Sequence, residues 1–201
     1  MTGVLIAAAG LSSRMGALKP MLPVGDDTLL RRGLRTLLRC GCGPAAVVLG
    51  REHQRVAQSL RDLPVHCIYN PDYASCQMFD SVRMGLSWLN GRCERVVFSP
   101  GDVSLYRADT VSALLNTDNP VVLPQCGGKT GHPILISAAL IPALLADCGE
   151  GGLAGAIRRT AQPRLLPVDD PGILMDADTP EDYQRLLAYA AEMDQHRESP
   201  V

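Results

Sequence analysis

The residues best suited to chemistry stand close together in AAAGLSSRMGALK, residues 7–19. Small side chains around Gly10 and Gly16 let the backbone approach a ligand and aim its N–H groups at phosphate oxygens. Arg14 and Lys19 add the positive charge that a triphosphate requires, and Ser12 and Ser13 add hydroxyls. The stretch has neither the GxxxxGK[ST] form of a P-loop nor the GxGxxG form of a dinucleotide turn. Taken alone it is equally a basic surface turn, so partners elsewhere in the chain must decide its role. Asp102, in SPGDVSL, directly follows an apolar run and is placed to project from a strand end. Magnesium takes one or two carboxylates together with substrate phosphates, so a single such aspartate can begin a metal site. MDADTPEDY supplies a second carboxylate, either Asp176 or Asp178. Asp178 is equally placed to cap the following helix, whereas Asp176 has no capping role.

These residues need a frame that gathers them. Short aliphatic or β-branched runs at 3–8, 45–49, 65–69, 95–99, 120–123, 133–136, 164–168 and 173–175 predict strands. Between them, 29–39, 52–61, 79–89, 107–115, 138–145, 153–159 and 180–192 space apolar residues three or four apart, as amphipathic helices do. Thr28 can cap the first of these, and Asp178-Thr179-Pro180-Glu181 opens the last with a cap candidate, a first-turn proline and early acids. The alternation predicts an α/β fold, a single Rossmann-like three-layer domain with a mostly parallel central sheet. In such a sheet the ligand site lies at the carboxyl ends of the strands, where loops 9–19, 70–78 and 100–105 converge. The domain is expected over residues 1–193, with a flexible polar tail from 194 to 201.

Composition limits the function. The 201 residues are 46% hydrophobic and 20% charged, which suits one globular domain. A net charge of −2 argues against a nucleic-acid partner, which would require clustered lysine and arginine. The apolar run at 4–9 is too short to span a bilayer, so no membrane association and a cytoplasmic location are expected. Seven cysteines without a CxxC pair fit free thiols in a reducing compartment. Cys40-Gly41-Cys42, with no second pair nearby, reads as a helix end rather than a zinc site.

The segments AAAGLSSRMG, LKPMLP with Lys19, NPDYA, PGD, GHPIL and DADTPEDY occur in the order found in molybdopterin cytidylyltransferases. The chain resembles that family over nearly its whole length. Guanylyl-transferring relatives carry two glycines where Ala9-Gly10 stands, so the resemblance favours CTP over GTP. It implies transfer of CMP from CTP to the terminal phosphate of molybdopterin, the molybdenum cofactor, with release of pyrophosphate. The product would serve oxidases of the xanthine-dehydrogenase type, with which a transient contact is implied. It also implies Mg²⁺ as cofactor, held by Asp102 with Asp176 or Asp178, and Arg14 and Lys19 on the triphosphate. Ala8, Ala9 and Gly10 would border base and ribose with Ser12 and Ser13, Ser81 would meet the pyrimidine, and Asn70 would join the nucleotide site. His132 matches a segment bordering the acceptor. Its titration range suits acid–base work, but attack by a phosphate oxygen requires no proton removal, so a binding role is expected.

The expected mechanism follows from charge. Nucleophile and electrophile are both anionic, so in-line attack needs electrostatic screening and positioning rather than a covalent intermediate. The chain departs from the family pattern after NPDYA. The run Ser75-Cys76-Gln77-Met78-Phe79-Asp80 is one residue longer than usual and lacks a customary glycine, and GDVS replaces the commoner GDMP. Alternatives of the same fold are a guanylyltransferase or a sugar-phosphate nucleotidyltransferase. A non-enzymatic carrier or chaperone for a molybdoenzyme is the alternative outside enzymology.

Overall fold

The first apolar run forms β1 (Thr2–Ala8), a strand buried at every position. Such a strand belongs inside a sheet covered on both faces. β1 pairs in parallel with β4 (Ala45–Leu49) on one side and β6 (Arg95–Pro100) on the other. The computed structural model describes residues 1–10 and 17–198, with the side chains of 196–198 left aside. Among these residues, β4 continues to β5 (Val65–Tyr69) at one edge. Beyond β6 lie β9 (Ile134–Ser137), β7 (Val121–Cys126) and β10 (Arg164–Pro167), giving the order β10-β7-β9-β6-β1-β4-β5. β9 runs antiparallel to both of its neighbours, so the sheet is mostly parallel, as expected, with one reversed strand along this path.

Alternation along β1 divides the core. Val4, Ile6 and Ala8 face a cluster that includes Leu30, Leu34 and Leu37 of α1 (Leu29–Arg39), Val56 of α2 (His53–Ser59) and Val111 of α4 (Ala108–Leu115). Leu5 and Ala7 face the other layer, with Val82 and Leu86 of α3 (Met78–Leu89), Leu144 of α5 (Ile141–Ala146) and Ile157 of α6 (Gly152–Thr160). Side chains two apart share a face, so a single strand anchors both layers. Each fully buried leucine, isoleucine or valine there contributes roughly 1.5–3 kcal/mol. α7 (Pro180–Glu198) closes a third cluster, where Leu186 and Ala190 meet Leu22, Val24, Leu29 and Leu105.

Three features differ from the sequence reading. Residues 173–175 form no strand; Pro171–Leu174 is a 3-10 turn. The buried Asp170 carboxylate dictates it, accepting from the Gly172 amide at 3.1 Å, the Arg107 amide at 2.7 Å and the Thr110 hydroxyl at 2.6 Å. This ties the turn to the start of α4 and leaves the apolar run no room to extend. Two small hairpins also escape the pattern. β2 (Pro23–Val24) pairs with β3 (Asp27–Thr28), and β8 (Lys129–Thr130) folds back on β7. The link to β8 is Gly127-Gly128, with φ of 57° and 79°, the positive pair that a two-residue hairpin turn needs. Finally, α7 runs past Asp194, where a tail was expected to begin. The Asp194 carboxylate accepts two hydrogen bonds from Arg32, at 2.9 and 2.7 Å, and pins the helix to α1.

Candidate active site

Glycines bring the strand ends together. A Cβ at Gly101, just after β6, would stand 2.7 Å from the Ala8 Cβ and 3.1 Å from its Cα, so only glycine lets β6 close against the end of β1. A Cβ at Gly50, after β4, would meet the Ala9 carbonyl oxygen at 2.5 Å and the Tyr73 side chain at 2.7 Å. The loop after β5 can therefore fold onto the end of β1. The result is a hollow of about 230 Å³ at the carboxyl ends of β1, β5 and β6. Ala8, Ala9, Gly10, Lys19, Tyr73, Cys76, Ser81 and Asp102 line it.

Lys19 opens a 3-10 turn, Lys19–Met21, and its side chain is largely buried. Its Nζ donates to Asp102 Oδ2 at 3.2 Å and also to Asp178 Oδ1. Burial alone would depress the lysine pKa. The hydrogen bond to Asp178 and the charge of Asp102 outweigh it and hold the ammonium above its ordinary range. Two carboxylates from distant parts of the chain thus share one cation.

Asp178 is available for this because Thr179 performs the capping. The Thr179 hydroxyl accepts from the Asp182 amide at 3.1 Å, and the Asp182 carboxylate accepts from the Thr179 amide at 3.0 Å. This reciprocal pair is a capping box, and it relieves Asp178 of the structural role that the sequence left open. Asp176 lies apart from the Lys19 contact and is exposed. Desolvation of its carboxyl, followed by the charges of Asp178 and Asp102, raises its pKa. Among the described residues no three His, Cys, Asp or Glu side chains form a metal cage. Among the described residues Asp102 and Asp178 meet on the Lys19 ammonium, and the Asp176 carboxylate lies close enough to feel the charge of all three. Oxygen donors within reach of one cation, open toward a ligand hollow, fit a magnesium ion that completes its shell with phosphate oxygens and water.

The loop after β5 is organised by Asn70, which is 3% exposed. Its Nδ2 donates to Ser81 Oγ at 2.9 Å and to Cys76 Sγ at 3.2 Å, and its Oδ1 accepts from the Asp72 amide at 2.9 Å. Asn70 is therefore spent on the loop and does not line the hollow. Ser81 does, with a hydroxyl that accepts from Asn70 and keeps its proton for another acceptor. Cys76, standing where the family pattern has glycine, lines the hollow with its sulfur tied to Asn70.

His132 belongs to a second, larger hollow of about 760 Å³. Its ring meets Phe98 edge to face at 5.6 Å, its Nδ1 is buried without a partner among the described residues, and burial pushes its pKa down to about 4. A ring so neutral suits binding rather than charge. Gln77, Met78 and Pro100 separate this hollow from the first and belong to both. Its remaining walls are largely apolar, from Phe79, Val82, Phe98, Ile134, Leu153 and Ile157, with Arg158 at one side. Sequence reasoning missed the contribution of α6. The signal was the glycine cluster Gly149, Gly151 and Gly152, all with positive φ, which turns the chain tightly enough to bring α6 beside the site. Ser12, Ser13 and Arg14 fall outside the described residues.

A family model described as the MobA-like NTP transferase domain matches residues 4–165. The molybdenum cofactor cytidylyltransferase of Escherichia coli K12 is 28% identical over 89% of this chain and 92% of its own. Nicotine blue oxidoreductase of Paenarthrobacter nicotinovorans is 29% identical over 92% of this chain and 96% of its own. A crystal structure of the Mycobacterium tuberculosis protein Rv0371c in complex with manganese superposes with a TM-score of 0.76. It covers 93% of this chain and 97% of its own at 24% identity, a likeness of fold. Among the described residues no helix is long and apolar enough to cross a membrane.

Proposed function

The chain belongs to the MobA-like NTP transferase family and is a nucleotidyltransferase, and we propose that it transfers CMP from CTP to the terminal phosphate of molybdopterin, releasing pyrophosphate. The observation that carries the proposal is the position of Lys19 and Asp102, with Asp178 also on the Lys19 ammonium, in a small hollow that shares a wall with a larger apolar one. Two substrates placed in these hollows would meet at Gln77, Met78 and Pro100. The apolar lining with Arg158 suits a flat organic body bearing anionic groups, as a pterin phosphate does. A bare carrier would have no use for paired carboxylates beside a lysine, and family membership favours catalysis over carriage alone.

In this reading Asp102 and Asp178 would hold Mg²⁺, which supplies charge screening between the attacking phosphate and the α-phosphate. The manganese in the mycobacterial relative is consistent with a divalent ion in this fold. Lys19, with Arg14, steadies the departing pyrophosphate. The backbone at Ala8, Ala9 and Gly10 borders the nucleoside, and Ser81 donates to the base. His132, neutral at pH 7, offers its imidazole to the acceptor and moves no proton in the transfer. Attack by a phosphate oxygen is in line, and positioning by the two adjoining hollows supplies most of the advantage. CTP is favoured over GTP by the Ala9-Gly10 pair and by the name of the Escherichia coli relative. An oxidoreduction of the kind named in the Paenarthrobacter relative would leave the shared carboxylates without a task.

Pyrophosphate release tests the proposal. Purified protein with Mg²⁺ and molybdopterin is expected to release it at least ten-fold faster from CTP than from GTP. Equal inactivity with all four nucleotides would overturn the assignment, and a preference for GTP would replace cytidyl with guanylyl transfer.

A further inference from the structure

We propose that the Lys19 ammonium occupies the seat of the divalent ion in the nucleotide-free protein, so that metal ion and triphosphate enter the site together. The inference rests on the reading that this hollow takes a metal-bound triphosphate, and it concerns the order in which the parts assemble.

Lys19 Nζ touches Asp102 Oδ2 at 3.2 Å and touches Asp178 Oδ1 as well. A magnesium ion bridging these same two oxygens would need the space between them that the ammonium now fills. Two positive charges repel strongly in so small a gap, so an ion bound through these oxygens displaces Lys19. The lysine stem is long and flexible, and a triphosphate offers the displaced ammonium a partner of higher charge. Phosphate oxygens arriving in the hollow therefore draw Lys19 away and open the carboxylates to the ion. The ion in turn releases Lys19 for the phosphates. Coupling of this kind is reciprocal: each ligand raises the affinity for the other. The ammonium also keeps two facing carboxylates neutralised while the site is empty, which spares the fold their mutual repulsion. Free metal in the cell would then find a weak site, and the metal–nucleotide complex a strong one.

The test is Mn²⁺ binding followed by electron paramagnetic resonance with no nucleotide present, in wild-type protein and in Lys19→Met, a substitution close in shape without the charge. The variant is expected to bind Mn²⁺ at least ten-fold more tightly, about 1.4 kcal/mol, and to gain less affinity than wild type when a non-hydrolysable CTP analogue is added. Adding Asp102→Asn to Lys19→Met should abolish the tight binding. Equal or weaker Mn²⁺ binding by Lys19→Met without nucleotide would overturn the proposal, as would its failure to bind Mn²⁺ at all. Should the variant not fold, the lysine Nζ resonance of wild-type protein gives the same information. It should shift when Mg²⁺ and the analogue are added together and stay in place with Mg²⁺ alone at the same concentration. A full shift with Mg²⁺ alone overturns the proposal. Because the Mn²⁺ measurement uses no acceptor and no turnover, loss of cytidyl transfer would count against the functional assignment and leave this result standing.

Discussion

Replacing Asn70 with alanine should weaken CTP binding only through Ser81. Asn70 is 3% exposed and makes three hydrogen bonds, to Ser81 Oγ at 2.9 Å, Cys76 Sγ at 3.2 Å and the Asp72 amide at 2.9 Å. At about 0.5–1.5 kcal/mol each, with the sulfur bond at the low end, their loss should destabilise the fold by about 2–3 kcal/mol. For a chain of this length that lowers the melting temperature by roughly 4–12 °C. The effect on binding is separable. In the proposed function Ser81 would give one hydroxyl proton to the base, worth about 1 kcal/mol, or about five-fold in Kd. Calorimetric titration of CTP with Mg²⁺ into Asn70→Ala, Ser81→Ala and the double variant forms a complete cycle. Ser81→Ala should lose about five-fold, Asn70→Ala a similar factor, and the double variant no more than Ser81→Ala alone. If the two losses multiply to about 25-fold, Asn70 acts on the nucleotide independently of Ser81 and the positioning role is refuted.

Other perturbations probe the frame. Gly101→Ala places a Cβ 2.7 Å from the Ala8 Cβ and should cost about 1–3 kcal/mol, seen as a lower urea midpoint, with transfer activity lost as β1 and β6 are forced apart. Thr179→Ala removes half of the capping box of α7 and should cost about 1 kcal/mol in thermal melts while leaving Asp178 on Lys19. Stability should fall as the pH drops from about 6.5 toward 4. His132 stays neutral there in the native state, with its pKa held at about 4, while the unfolded chain takes up the proton. His132→Asn should flatten that part of the pH dependence in denaturant titrations; an unchanged slope would contradict the burial of the ring.

The sequence carried the frame because its strands are nearly continuous aliphatic runs and its helices repeat at three and four residues. Those patterns are local, so β1, β4, β6 and most of the helices lie close to where they were expected. Residues 173–175 misled because an aliphatic triplet looks the same in a strand and in a turn. The buried Asp170 that decides between them acts through Arg107 and Thr110, about 60 residues away. The site was legible in parts. Residue type and position single out Lys19 and Asp102, and the fold brings them within hydrogen-bonding distance. Whether Asp178 caps α7 depends on whether Thr179 takes that place, a competition between neighbours that residue types alone leave open. Asn70 was expected to border the nucleotide, yet its three bonds turn it toward Ser81 and Cys76. The second hollow was hidden because its walls come from α3, β6, β9 and α6 with Leu123, Thr130 and Leu165 of β7, β8 and β10, and no local pattern announces that so many elements leave a gap.

Label transfer from α-³²P-CTP to molybdopterin measures the central claim most directly, comparing wild-type protein with Asp102→Asn in the presence and absence of Mg²⁺. Labelled dinucleotide is expected from the wild type only with a divalent ion, with a loss of at least 100-fold in Asp102→Asn that added metal does not restore. Wild-type rates in the variant, or undiminished transfer after complete metal removal, would contradict it.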